Sequence, residues 1–405
     1  MTRRNRPARW AALAAVALAV GGATAADDET ARALTTIKSV SKEGKGNDAA
    51  GLAWKALVGK GGPALLPTLD AMDDGNATAS NWLRSAVDAI VQTEKEAKRP
   101  LPADKLEALA KDTKFSPSAR RLAYELLVAQ VPDAKDKLLA GFINDVSADL
   151  RRDAIAAELA KNPAKAELEK LFAATRDTDQ VELVAKKLED DHKVSRSVTE
   201  HFGFVTHWSA IGPFDSTAGK GFATPFPPET ATAATGTVKG KGDAEVTWKA
   251  TVAGVTRSPM SASKVYSMVD LNALLGKSKD SAAYLFAVVN AEKETPCQLR
   301  GGSQNAVQIF LNGKKVFERE EYHHGTTMDQ HTGRGVLKAG PNIIVLKVCQ
   351  NNQTEPWAQV WGAQLRVCDA TGGPLPGLTQ LVGDKKEAVK LGFIPAGATD
   401  KEDKK

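Results

Sequence analysis

Asn312-Gly313 separates two short stretches in which apolar side chains alternate with other residues, Ala306 to Leu311 and Lys315 to Phe317. A two-residue reversal between twisted strands favours a type I′ turn, which needs positive φ at both positions, and Asn-Gly adopts it at low cost. A hairpin of this kind calls for a sheet around it, and the neighbouring sequence supplies one. Tyr284 to Val289 is a continuous apolar run, long enough to cross a core as a central strand. Asn342 to Val348 is β-branched and apolar, and Ala358 to Val367 offers a last alternation. Ala244 to Val252 places Val246, Trp248 and Ala250 on one face of a strand, and Val265 to Leu275 reads as a short strand and turn. A parallel sheet needs crossover helices, and this half has no pattern for them. Two packed antiparallel sheets are therefore expected.

Ahead of this half the apolar period lengthens to that of helices. Leu52, Leu57 and Val58 recur at helical spacing before Gly59 to Pro63 ends the run. Leu83, Val87 and Ile90 line one face of Asn81 to Gln92, and Ser116-Pro117 opens a helix with a capping serine and a first-turn proline. Further amphipathic stretches follow at 133–144, 149–159 and 163–175, then a charged helical segment at 177–191. Arg84, Arg121 and Arg152 each precede an alanine by two positions, at separations of 37 and 31 residues. That echo suits stacked helix pairs in which the arginines serve packing, and an irregular bundle is the alternative. A chain of 405 residues is long enough for both halves to bury cores of their own.

The first residues read as a leader. Arg3, Arg4, Arg6 and Arg9 precede the apolar stretch Trp10 to Val20, and Ala23-Thr24-Ala25 suits a small-residue cleavage site. Export with removal of residues 1–25 is expected, with an uncleaved anchor as the alternative, and no later stretch could span a membrane. Losing the four arginines lowers the formal charge from +5 to +1, which leaves no basic patch for nucleic acid. Cys297, Cys349 and Cys368 permit one disulfide or three buried thiols. No CxxC, CxxCH, phosphate loop or GxGxxG is present, and Gly219-Lys220-Gly221 is only a glycine-containing turn, so no cofactor is expected.

Residues 208–229, beginning Trp208-Ser-Ala-Ile-Gly-Pro-Phe, together with the Asn312-Gly313 hairpin and the Gly340 to Val348 stretch, resemble the galactose-binding-like jelly-roll modules of bacterial, planctomycete-like exported proteins. Residues 47–190 resemble degenerate HEAT-like repeats. These resemblances imply a multidomain chain, α then all-β: HEAT-like helical repeats followed by an antiparallel β-sandwich. The expected divisions are a signal peptide (1–25), a polar segment (26–46), the helical repeats (47–190), a linker (191–204), the sandwich (205–369) and a C-terminal extension (370–405), where Leu378 to Phe393 could form a short docking helix.

In carbohydrate-binding members of such a family, rings and amides in loops meet the sugar. The counterparts here are Trp357 and Trp361 with Asn351, Asn352, Gln353 and Gln359, since indole faces stack on sugar rings and amides satisfy hydroxyls. A buried sheet face is the competing place for both tryptophans. His323, His324, Asp329 and His331 form the densest ionisable cluster and are the candidate metal ligands. His192, His201 and His207 lack a partner at ligand spacing, and no hydrolytic triad is apparent. The functional expectation is a non-catalytic exported interaction or scaffold protein with a protein partner. The alternatives are a carbohydrate-binding protein using a glycan, or an enzyme subunit with an unrecognised site.

Overall fold

The computed structural model describes residues 28–257 and 264–380. The expected leader and the end of the C-terminal extension lie outside them. Helices come first and an antiparallel β region follows. The chain divides into two compact units, Met1–Ala164 and Lys165–Lys405.

The first unit is helical. Its helices at Asn47–Lys60, Gly62–Asp70, Ala77–Glu96, Ala103–Lys111 and Pro117–Gln130 are joined by short turns. Local chemistry sets their ends. Ser116 Oγ accepts from Ala119 N at 3.3 Å with Pro117 in the first turn, and Asn76 Oδ1 accepts from Ala79 N at 3.1 Å. Leu83, Val87 and Ile90 are buried together, as their spacing predicts, and Ala33, Ile37 and Val40 from the polar N-terminal stretch join the same core. Leu52 departs from expectation at 70% exposure. Its helix buries Ala50, Ala53 and Leu57, a stripe at i, i+3 and i+7 on which Leu52 does not lie.

The arginine echo marks surface pairing. Arg121 bonds Glu125 at 2.7 Å and Asp153, and Arg84 lies 3.7 Å from Glu125. The neighbouring Arg120 is the buried one, gripping both oxygens of Asp145 and donating to the Ala110 carbonyl at 3.0 Å.

In the second unit the helices Lys165–Ala174, Thr178–His192 and Val198–His201 precede the strands. These are β1 (His207–Asp215), β2 (Thr237–Lys239), β3 (Glu245–Thr247), β4 (Lys249–Val252), β5 (Val255–Arg257), β6 (Lys264–Tyr266), β7 (Val269–Asp270), β8 (Ser281–Ala291), β9 (Thr295–Gly302), β10 (Ala306–Leu311), β11 (Lys314–Arg319), β12 (His331–Leu337), β13 (Gly340–Gln350), β14 (Gly362–Cys368) and β15 (Leu378–Gln380). One sheet runs β11-β10-β13-β8-β1-β4 with β15 also on β8, the other β12-β9-β14-β7, and their pairings are antiparallel. Leu285, Ala287 and Val289 of β8, Ile344 and Leu346 of β13, Leu299 of β9 and Leu365 of β14 meet in one core between the sheets. This is a β-sandwich.

The central-strand reading of residues 284–289 holds for a reason beyond alternation. β8 is buried on both faces, because Tyr284, Phe286 and Val288 lie in a second apolar cluster with Phe214, Phe222 and Phe226. Lys347, 1% exposed, fastens that cover: its ammonium donates to the Phe222 and Thr224 carbonyls and to Glu229 Oε1 at 3.0, 2.7 and 2.9 Å. Three donors meet three acceptors, as a buried ammonium requires. The Asn-Gly hairpin forms as expected, with φ of 51° at Asn312 and 78° at Gly313. Asn342, fully buried, bonds Asn312 Nδ2 at 2.8 Å and the backbone of Lys338, tying the turn to the start of β13.

Three expectations change. Residues 244–252 form two short strands around Trp248, with Ala250 exposed, and Trp248 packs edge-on against Phe286 on the outer face of the sheet. The end of the expected linker, 191–204, is tied to the sheet: Val367 N bonds Gly203 O at 2.9 Å, and Val205 N, at the first residue of the expected sandwich, bonds Leu365 O at 2.9 Å. Gly203, at φ 69°, approaches β14 so closely that a Cβ would sit 2.3 Å from the Val367 carbonyl oxygen. Finally, Leu378–Gln380 pairs with β8 as a strand, where a docking helix was expected to begin.

Candidate functional site

The antiparallel registers bring four connections to one end of the sandwich. Gln350 opposite Ser281 and Ala306 opposite Cys349 place the loops at 276–280, 303–305 and 351–361 side by side, and the 320–330 loop joins them after β11. His323, with φ 64°, is held there through its backbone N–H, which donates to Gln304 O at 2.6 Å. Its Nε2 lies 2.8 Å from Asn351 Oδ1. An amide oxygen only accepts, so Nε2 is the donor in this bond, and Nδ1 is buried without a partner among the described residues. The imidazole stands edge-on to Trp357, centroids 5.3 Å apart at 78°.

Trp357 is 55% exposed and Trp361 is not exposed at all. Four residues apart in an extended strand, they would share a face. Pro356–Ala358 is instead a 3-10 turn, and the chain becomes extended only at Gly362. Trp361 turns inward, donating its indole N–H to Val348 O at 3.1 Å, so it is a core residue and no ligand contact. Trp357 stays outside. Beside it Asn351 Nδ2 donates to Gln353 Oε1 at 2.8 Å and the Gln353 backbone N–H donates to Asn351 Oδ1 at 3.2 Å, while Gln353 Nε2 makes no hydrogen bond among the described residues. Asn352 is exposed. Gln359 is spent on the loop itself, donating to Thr354 O at 2.6 Å and Glu355 O at 3.2 Å. Lys279 Nζ braces the same turn from below through Ala358 O at 2.7 Å.

The four expected metal ligands do not converge: His324 and His331 stay adjacent, ring centroids 5.9 Å apart, while Asp329 and His323 bond elsewhere. Asp329 commits both oxygens to guanidiniums: Oδ1 to Arg366 Nε at 2.7 Å, and Oδ2 to another Arg366 nitrogen at 2.6 Å and to Arg300 at 2.8 Å. Burial pushes this carboxyl up, but Arg366 and Arg300 together hold it below the usual carboxylate range. His331 is buried against Phe317, and burial, then the neighbouring His324, lowers its basicity. His324 faces Glu321 at 3.4 Å. Only His323 reaches the Trp357 loop. Among the described residues no group of three or more histidines, cysteines or carboxylates is placed to hold a metal ion, which corrects that expectation.

The three cysteines are buried free thiols. Burial raises Cys297 to about 11 and Cys349 to about 12, far from thiolate reactivity at neutral pH.

Sequence proximity pairs Trp357 with Asn351 and Gln353 and sets His323 apart in the ionisable cluster. The structure joins them. Tyr322, with its ring 6.2 Å from His323, went unnoticed, as did Lys279, since neither stands near the tryptophan in sequence.

The class defined is thus an antiparallel β-sandwich carrying an aromatic and amide loop cluster at one end. No family model matches the chain, and no curated protein matches it. Among solved structures, a family 35 carbohydrate binding module from an environmental isolate is similar at TM-score 0.17 and 18% identity, over 24% of this chain and 70% of that one. The PA14 sugar-binding domain of an RTX adhesin aligns at TM-score 0.16 and 19% identity, over 26% and 50%. A β-glucosidase from Kluyveromyces marxianus in complex with glucose aligns at TM-score 0.25 and 12% identity, this chain spanning 16% of its length.

Proposed function

We propose that the β-sandwich binds a glycan through Trp357, Asn351 and Gln353, with His323 fixing the group, in an exported protein. The observation that carries the reading is the exposed indole held edge-on by an imidazole that is itself bonded to Asn351. A large apolar ring kept in water by a proline turn is available to the C–H face of a sugar, and the unused Gln353 Nε2 can donate to a hydroxyl. Retention on a panel of insoluble polysaccharides tests it. Trp357→Ala should weaken binding roughly 10- to 100-fold, the loss of one stacked aromatic, with an unchanged circular dichroism spectrum. Equal retention by the variant would reject the site.

We propose a second role for the helical unit. It exposes Leu52, Val131 and Val146, and a protein partner for this half is the reading we attach to it. Among the described residues no helix is long and apolar enough to cross a membrane. Protein recovered from its native cell, cross-linked and sequenced, addresses both export and partner. A new N-terminus close to Ala26 and cross-links to a second protein within residues 28–164 are expected. An intact Met1, or cross-links confined to the sandwich, would count against the respective claim.

A further inference from the structure

β13 lines one edge of β8 along its whole length, so β1 and β15 share the other edge, one after the other. Both run antiparallel to β8, and β15 therefore heads into the start of β1. It cannot continue as a strand on that line, and the chain has to leave it at Gln380. The Gln380 amide fixes the point of departure. Its Oε1 accepts from Thr206 N at 2.9 Å and His207 N at 3.2 Å, and its Nε2 donates to Phe204 O at 2.7 Å.

Beside that point lies uncovered apolar surface. His207 pairs with Val252 of β4, the last strand of its sheet, and among the described residues no strand pairs with the far edge of β4. Val252 is 67% exposed. Val255, at 52%, opposes Tyr266, whose ring stacks on Phe204 with centroids 5.9 Å apart. An open edge with exposed valines is a template for pairing with any strand that reaches it. The sequence beyond Gln380 supplies one. Residues 381–394, outside the described part of the chain, hold Val389, Leu391 and Phe393 at alternate positions, the period of a strand with one apolar face. Two strand spacings, about 10 Å, separate the line of β15 from the far side of β4, and the residues from Gln380 to Val389 can span about 30 Å.

We propose that residues 381–394 fold back along the open edge of β4 as an intramolecular strap, with Val389, Leu391 and Phe393 over Val252 and Val255. The strap removes an edge that would otherwise pair with a second copy of the chain. It stands apart from the glycan site and does not depend on it.

The test uses the full chain with Val252→Cys and a second cysteine placed in turn at Val389, Leu391 and Phe393, the three native thiols being buried. Mild oxidation should close a bond within one chain for at least one of these pairs, read by mass spectrometry of the linked peptides from monomer. The control moves the first cysteine to Val336, 50% exposed on β12 in the other sheet. Control pairs should link roughly tenfold more slowly or less, because the strap is held away from them. Equal rates for the two sets would overturn the strap, and linkage only between chains would assign the edge to a second copy instead. Hydrogen exchange gives an independent reading. Leu391→Asp with Phe393→Asp keeps the chain length and should speed exchange of the β4 amides about tenfold or more, while β8 and β13 stay protected and so report an intact sandwich. Amides of β4 that exchange alike in wild type and variant would also overturn the proposal.

Discussion

Replacing Asp329 by alanine should cost the sandwich about 3–5 kcal/mol, the usual penalty for removing one partner of a buried ion pair. Arg366 is 2% exposed and lies on the outer face of β14, so removing Asp329 leaves a buried guanidinium without its carboxylate. Its remaining bonds, to Phe202 O at 3.2 Å and Gly372 O at 2.9 Å, go to neutral carbonyls and cannot balance the charge. Arg300 loses its ion pair as well. For a unit of this size the shift in melting temperature is on the order of 10 °C. The double variant Asp329→Ala with Arg366→Met should recover part of the loss, since a buried pair replaced by apolar groups often costs less than an orphaned charge. Urea unfolding of the three proteins measures this. A single variant within about 1 kcal/mol of wild type would show that the network holds nothing.

That network illustrates what was hidden in the sequence. Asp329 lies 29 residues from Arg300 and 37 from Arg366. The three meet because β9 and β14 pair with Arg300 opposite Arg366, and because Asp329, at φ 62°, turns its loop back over that face. Register is a property of the assembled sheet, so the loop was legible only as an ionisable cluster, and a metal was the natural reading of it. By contrast the Asn312-Gly313 turn and the β8 run depend on neighbours within a few residues, and both were readable. Arg120 and Arg121 show the same division inside the helical unit: the period marked Arg121, while burial chose Arg120, which only the distant Asp145 explains.

The two tryptophans of the site loop should answer mutation in opposite ways. Trp361→Ala removes a side chain that touches no solvent and belongs to the same core between the sheets as Leu285, Leu346 and Leu365. The lost burial and the cavity left behind cost about 3–5 kcal/mol, and the Val348 carbonyl loses the indole donor it accepts from. Unfolding should occur at clearly lower urea, with an unchanged slope if the unfolded state is the same. Trp357→Ala, in a ring already half in water and pinned by a single edge contact, should move stability by no more than about 0.5 kcal/mol. The difference follows from one local fact, the 3-10 turn begun at Pro356, which places position 357 outside and returns the chain to strand by Gly362. Proline cannot donate to a sheet ladder, so its place ahead of Trp357 was a signal against an extended pairing of the two rings. If Trp357→Ala proved as destabilising as Trp361→Ala, both rings would belong to the core and the Trp357 stacking site would be rejected. If Trp361→Ala left stability untouched, the turn geometry that separates them would be wrong.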